Sequence, residues 1–277
     1  MSGPYTCLIC GSTGHKPVFT YAAPDDYERT VGVGDVGYER AWVRCVHCGF
    51  HYSRYGRDTE ILDRIYESAY RNASAAWRGQ DVRATFARVT TLPADQSETK
   101  QRIGWIKGEL AQHGIGQVNG HAYLLDIGGA SGVFAYEFQD DRWRSAVVDP
   151  SESGRFIEDD HGIPYTQAAF RPGLFDRSFD LVSLVYVLEH LRAPAEALRN
   201  ARQAVSSEGG LYIEVPDARA FAQKPAEDDI FNACHLWMFD PMSLRTLLGR
   251  SGFRVVAQDE RQTARGHYAL MALAVPA

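Results

Sequence analysis

The feature that most restricts the fold is the run LLDIGGASG at residues 124–132. An apolar strand ends in an acid, Asp126, and passes into Gly128, Gly129, Ala130 and Gly132. The next residues, VFAYEF, have helical spacing. Glycines in such a turn let a backbone approach a ligand closely, and the following helix aims its N-terminus at the same place. From residue 122 onward, strands and helices alternate. Strands are expected at residues 123–127, 145–148, 163–166, 181–185 and 211–215, and helices at 132–138, 151–160 and 193–205, the last with Pro194 in its first turn. A further helix follows the Asp240-Pro241 cap, buries Leu244, Leu247 and Leu248, and stops at Gly252; strands at 253–257 and 268–275 come last. The strand at 181–185 is nearly all apolar, as expected when both faces are covered. This succession predicts an α/β fold with a doubly wound sheet.

Dinucleotide enzymes place G-x-G-x-x-G directly after the first strand to hold a pyrophosphate. That motif is absent here, and the acid precedes the glycines. The order suits a cofactor with an ammonium group and no phosphate. Asp149, ending the second strand, can then accept from the two hydroxyls of a ribose. The plainer alternative is a tight turn with a solvent-facing acid.

The chain has five cysteines, and four form two C-x-x-C pairs, Cys7/Cys10 and Cys45/Cys48. Such spacing lets four thiolates converge on one tetrahedral zinc with bonds of about 2.3 Å. Disulfides are the alternative in an oxidising compartment, and a redox pair would open a helix, which neither does. A closed four-thiolate site has no open position and is expected to hold the fold. Residues 38–44 alternate like a strand, and Gly32, Gly34 and Gly37 mark the preceding stretch as loop. Three helical stretches follow, at residues 60–71, 81–91 and 97–113, with Gly114 as the last stop. The expected organisation is a zinc ribbon (1–56), a helical linker and cap (57–117) and a cofactor-binding domain (118–277).

The longest apolar stretch, residues 181–188, is interrupted by Ser183 and Tyr186 and falls far short of the roughly 20 residues of a membrane span. The start, MSGPYTCLIC, has neither a charged nor an apolar leader segment, so the expected location is the cytoplasm. The net charge of -6 counts against a nucleic-acid partner, and in the first 60 residues Lys16, Arg29, Arg40, Arg44, Arg54 and Arg57 are matched by Asp25, Asp26, Glu28, Asp35, Glu39, Asp58 and Glu60.

On DIGGASG, VVDPS (147–151), SFDLVSLVYVLEHL (178–191) and FDPMSLRTLLGRSGF (239–253), the chain from about residue 120 resembles the class I S-adenosylmethionine-dependent methyltransferases. Ala130 replaces the central glycine of that family's turn. The resemblance implies a Rossmann-like methyltransferase sheet in which Asp126, Gly128, Gly129, Ala130 and Gly132 hold S-adenosylmethionine. Asp149, with Pro150 beside it, would take the ribose. Gln167 and Ala168 would flank the adenine, and Val185 and Tyr186 would lie below the sulfonium. The paired C-x-x-C motifs resemble those of zinc-containing small-molecule methyltransferases, including nucleotide-sugar C-methyltransferases. In those, a Glu-His pair after the fifth strand serves catalysis; here His235 matches the His and Cys234 stands in the Glu position.

The implied reaction is methyl transfer to a small acceptor such as a sugar or glycan unit, by O-methylation with a general base. The alternatives are C-methylation of a nucleotide sugar and methylation of rRNA or tRNA. Candidate bases are His235, Glu189, His190, Glu214 and the acids Glu227, Asp228 and Asp229. The polar segment 216–232 is expected to form the acceptor site or its lid, with Trp237, Met238 and Phe239 as a wall or, equally, as core. The oligomeric state is not legible in the chain.

Overall fold

The computed structural model describes residues 6–55, 60–65 and 81–277. The apolar strands read from the sequence pair into a seven-stranded sheet. It contains β4 (Ala122–Ile127), β5 (Trp143–Asp149), β6 (Tyr165–Gln167), β7 (Phe179–Val185), β8 (Val205–Pro216), β10 (Phe253–Gln262) and β11 (Tyr268–Pro276). Their order is β10-β11-β8-β7-β4-β5-β6. The strands from β6 across to β8 are parallel, and β11 runs antiparallel between β8 and β10. The chain leaves β4 toward β5 and β6, then returns to its other side for β7 and β8. That reversal opens a crevice at the C-terminal ends of β4 and β7, where open α/β sheets bind ligands.

Helices cover both faces. On one, α4 (Glu98–Gln112) and α5 (Val133–Phe138) bury Ile103, Ile106, Leu110, Phe134 and Phe138 against Leu124, Leu181 and Tyr212. On the other, α7 (Pro194–Ala204) and α9 (Pro241–Arg250) bury Leu198, Leu244 and Leu247 against Leu125, Val182 and Ile213. Caps set their ends: Ser97 accepts from the Lys100 amide, and Asp240 with Ser243 closes a capping box. The short helices α3 (Val82–Thr90) and α6 (Phe156–His161) meet through Phe86, which packs 5.4 Å from Phe156.

The amino-terminal module is a second sheet, in the order β1-β2-β3-β9, formed by β1 (His15–Tyr21), β2 (Arg40–Cys45), β3 (His51–Tyr55) and β9 (Trp237–Met238). Its fourth strand thus comes from the segment after β8, with His51 opposite Met238 and Tyr52 opposite Trp237. Cys7, Ile9, Val43, Phe50 and Tyr52 belong to the same continuous core as the α7–α9 face of the large sheet. The remaining helices are α1 (Asp26–Thr30), α2 (Glu60–Ile65) and α8 (Ala220–Gln223).

Several expectations need correction. The helix expected over 151–160 begins only at Phe156, because Ser151 and Ser153 divert residues 151–153 into a side-chain-bonded turn: the Ser153 amide donates to Ser151 Oγ at 3.1 Å. The stretch expected as loop before β2 contains α1, held by a capping box between Asp25 and Glu28. Only the first part of the helix expected at 60–71 lies within the described residues.

Candidate functional site

The turn after β4 is shaped by contacts that admit only glycine at several places. Gly128 has φ of +73°, and a Cβ there would stand 2.6 Å from Val187 Cγ2. At Gly132, φ is +75° and a Cβ would meet Ile157 at 2.3 Å. Ala130 also takes a left-handed backbone, φ 46°, the strained position among the four. A groove of about 420 Å³ runs from this turn, lined by Gly128, Pro150, Ala169, Phe170, Leu184 and Val187 among others. Gln167 and Ala168 fall just before its lining residues, and the Ala168 amide donates to the Asp149 carbonyl at 3.0 Å.

Two carboxylates flank the turn. Asp126 is buried, 1% exposed, and accepts from Ser183 Oγ at 2.7 Å. Burial, reinforced by the nearby Asp149, raises it to about 7 despite that hydroxyl. A buried acid with one neutral donor is suited to a cationic ligand. Asp149 accepts from the Ala130 amide at 3.0 Å and from the Ser151 amide at 2.7 Å. It therefore braces the glycine turn. Ser183 was not foreseen; a lone hydroxyl within an otherwise apolar strand was its only signal.

Beyond β7 the chain makes a single 3₁₀ turn, Leu188–His190, directly after Val187, whose side chain faces Gly128. It presents Glu189 and His190, and the Leu236 amide donates to the Glu189 carbonyl at 2.8 Å, which draws His235 to the same place. The two imidazoles lie 4.7 Å apart between centroids. His190 Nδ1 is 3.0 Å from the Cys234 carbonyl and His235 Nδ1 is 2.7 Å from the Ile230 carbonyl. Burial holds His235 below the usual imidazole value. Glu189 is fully buried, its Oε1 is 3.8 Å from His190 Nε2, and neither oxygen has a hydrogen-bond partner among the described residues. Burial pushes it up to about 8. The structure thus brings together three of the seven candidate bases.

Glu214 does not fit that role. Its carboxylate is gripped by the buried Arg102 of α4, through Nε and through Nη2 at 2.7 Å, and accepts from Tyr212 at 2.5 Å. Burial would raise it, but the guanidinium and hydroxyls win and hold it below the usual carboxylate value. An acid so occupied has no lone pair aimed at an acceptor. Tyr186 bonds to the same carboxylate and carries φ of 55°, so the residue after β7 is fixed under strain by the pair. Val185 stands opposite Glu214 in the sheet.

The acids 227–229 do not face the glycine turn. With Asp25, Asp26, Tyr21 and Arg40 they line a separate cleft of about 550 Å³ against the amino-terminal sheet. Segment 216–232 packs firmly there: Phe221 and Phe231 pack tilted or edge-on against Phe19 and Trp42. Met238 and Phe239 are fully buried core, and Trp237 donates to the Leu191 carbonyl at 2.7 Å.

The four paired cysteines form one cluster. Cys7 and Cys48 sulfurs are 3.5 Å apart, as are those of Cys10 and Cys45, and all four lie within 4.8 Å. A tetrahedral zinc with bonds of about 2.3 Å needs sulfur separations of about 3.8 Å. The two knuckles repeat one turn: the Gly11 amide donates to the Cys7 carbonyl at 2.8 Å, and Gly49 to Cys45 at 3.0 Å. Amides of Cys48 and His47 pull the Cys45 thiol down to about 6 against its burial. The donor set and spacing fit a zinc ion.

The family described as methyltransferase domain matches residues 80–258. Among solved structures, a 1,6-didemethyltoxoflavin-N1-methyltransferase of Burkholderia thailandensis, with its substrate and S-adenosylhomocysteine bound, is 14% identical over 83% of this chain and 97% of its own, with a TM-score of 0.59. A magnesium protoporphyrin IX methyltransferase of Synechocystis with bound SAH is 14% identical over 79% of this chain and 100% of its own, TM-score 0.53. A methyltransferase of Clostridium acetobutylicum is 9% identical over 70% and 98%, TM-score 0.51. No curated protein matches the sequence. Among the described residues no helix is long and apolar enough to cross a membrane.

Proposed function

Because the chain belongs to the S-adenosylmethionine-dependent class I methyltransferases, matching their domain over residues 80–258, we propose that it methylates a hydroxyl of a small molecule, a sugar or glycan unit. The observation that carries this reading is the clustering of Glu189, His190 and His235 on the turn that follows Val187, whose side chain faces Gly128. The small-molecule substrates named for the toxoflavin and protoporphyrin methyltransferases support the acceptor class. The net charge of -6 and the acidic cleft beside the ribbon disfavour rRNA or tRNA.

S-adenosylmethionine, when bound, supplies a methyl already activated by its sulfonium. The protein's work is then to position it, exclude water and manage the acceptor's proton. In this reading Asp126 faces the ammonium, Asp149 and Pro150 the ribose, and the groove at Ala169 and Phe170 the adenine. The Nε2 atom of His235 takes the hydroxyl proton, with His190 and Glu189 beside it. The lowered His235 value keeps that nitrogen unprotonated at neutral pH. Cys7, Cys10, Cys45 and Cys48 hold a structural zinc, which suits the reducing cytoplasm.

Mass spectrometry of ligand co-purified with the protein, followed by turnover with methyl-labelled cofactor, tests the acceptor. A methyl found on carbon or on nucleic acid would reject the O-methylation reading. His235→Ala is expected to lower kcat roughly 10²–10⁴-fold and to remove the acidic limb of the pH–rate profile while the cofactor still binds. Loss of stability or a raised KM with that limb intact would make His235 an anchor instead.

A further inference from the structure

We propose that the cleft between the amino-terminal sheet and segment 226–232 is a second small-molecule site, apart from the cofactor groove, and that it takes a saccharide bearing a free ammonium group. The cleft offers about 550 Å³, within the roughly 300–1,000 Å³ of small-molecule sites. Among the described residues its lining combines the aromatic Tyr21, Tyr27 and Phe231 with five carboxylates and a single cation, Arg40. Apolar walls with a few fixed polar groups suit a molecule that has both carbon–hydrogen faces and hydroxyls.

Arg40 is the first sign of a ligand. Its side chain is only 2% exposed. Nε donates to the Tyr38 hydroxyl at 3.0 Å and Nη1 to the Phe231 carbonyl at 2.6 Å. Among the described residues Nη2 has only Asp25 Oδ2, at 3.6 Å, past hydrogen-bond reach. A buried donor is seldom left so, and a hydroxyl or ring oxygen supplies the missing acceptor. The carboxylates supply the other half of the recognition. Asp25 is already held by the amides of Glu28 and Ala233, and Asp228 by Lys224 at 3.4 Å. The side chains of Asp26, Glu227 and Asp229 have no ion pair or hydrogen bond among the described residues. Their charge is left over for an ammonium group. The cleft carboxylates do not draw together closely enough to hold a metal ion, which points to an organic cation.

The same residues hold the turn that carries His235. Arg40 donates to the Phe231 carbonyl, Asp25 accepts from the Ala233 amide at 2.6 Å, and His235 Nδ1 lies 2.7 Å from the Ile230 carbonyl. A saccharide seated on Arg40 and Asp25 therefore meets the residues that fix that turn. The inference deepens the methyl-transfer reading by naming the acceptor's class, and rests on it for calling the saccharide the acceptor; the binding site itself stands on the cleft.

The test titrates the full chain, its cysteine site filled by zinc, with D-glucosamine, followed by ligand-observed NMR and calorimetry. Saturable binding is expected, weakened by added salt and unaffected by saturating S-adenosylhomocysteine. D-glucose and N-acetyl-D-glucosamine, which lack the ammonium, and tetralysine, which lacks the hydroxyls, should bind roughly tenfold or more weakly, the scale of one lost hydrogen bond to a charged group. Glu227→Gln with Asp229→Asn, both exposed, should lower glucosamine affinity by a similar factor, and S-adenosylhomocysteine binding reports that the variant is folded. Asp26→Asn is the second variant if the first does not fold. Displacement of glucosamine by S-adenosylhomocysteine, equal binding of D-glucose, displacement by tetralysine at equal or lower concentration, or unchanged affinity in the variants would overturn the proposal. No glucosamine binding would also overturn it, and turnover with methyl-labelled cofactor would still decide the methyl-transfer reading separately.

Discussion

Asp126 and Asp149 lie near the ends of neighbouring strands but have different surroundings. Asp149 accepts from two backbone amides, those of Ala130 and Ser151. Asp149→Ala is expected to weaken cofactor binding by about 1.5–3 kcal/mol, the scale of hydrogen bonds to a charged group; unchanged affinity by calorimetry would unseat it from the ribose. Asp126 is held at about 7 by burial, with Asp149 adding to the rise. Between about pH 4 and 7 the folded protein therefore keeps a proton that the unfolded chain has released, so ligand-free stability falls as pH rises across that window. A cationic cofactor favours the ionised acid. Binding should release a proton below pH 7, and affinity should rise with pH up to about 7. Calorimetry at about pH 6 in buffers of different ionisation enthalpy reads that proton, and its absence would separate Asp126 from the ammonium. The glycines, both acids, the cysteines and the Glu-His pair were all legible, because each sits in a local pattern. Arg102 was not: its partner is far along the chain, and nothing near Arg102 marks it as buried.

Elements with long apolar periodicity, such as α4, β7 and α9, were readable from residues alone. Those that failed are short or depend on a distant partner. Two residues, Trp237 and Met238, carry no periodicity, so β9 exists only because β3 offers an open edge. Pro17 weakens the strand signal of β1, yet an edge strand tolerates it, and the pairing with β2 is irregular just there. The D-x-x-E pattern of Asp25 and Glu28 could have revealed α1. Between α4 and β8 the tie is the Arg102–Glu214 pair, fully enclosed with Tyr212. Arg102→Ala should destabilise the protein by about 3–5 kcal/mol, because it strands a buried carboxylate. The double change Arg102→Met with Glu214→Leu should recover most of that loss in denaturant titrations. Equal destabilisation by both would mean that packing of the arginine stem, and not its charge, joins the two elements.

In the whole molecule, the amino-terminal sheet and the large sheet share one core, and the bond from Arg250 of α9 to the Ile9 carbonyl adds a polar link. The cysteine cluster therefore supports more than its own knuckles. Stripping the proposed zinc with a chelator is expected to lower the melting temperature and to diminish methyl transfer in parallel, with both restored by added Zn²⁺, and Cys45→Ser should show the same losses without that rescue. Full activity in metal-free, melted-ribbon protein would show the module to be independent. The shared strand also bears on how this chain could be recombined. A chimaera that exchanges residues 6–55 alone severs the pairing of His51 with Met238 and Tyr52 with Trp237, a step away from His235. One that exchanges residues 6–55 together with 217–239 keeps both halves of that edge. Two stretches far apart in the gene thus behave as one heritable block, and any crossover that inherits only one of them delivers a misplaced histidine with it.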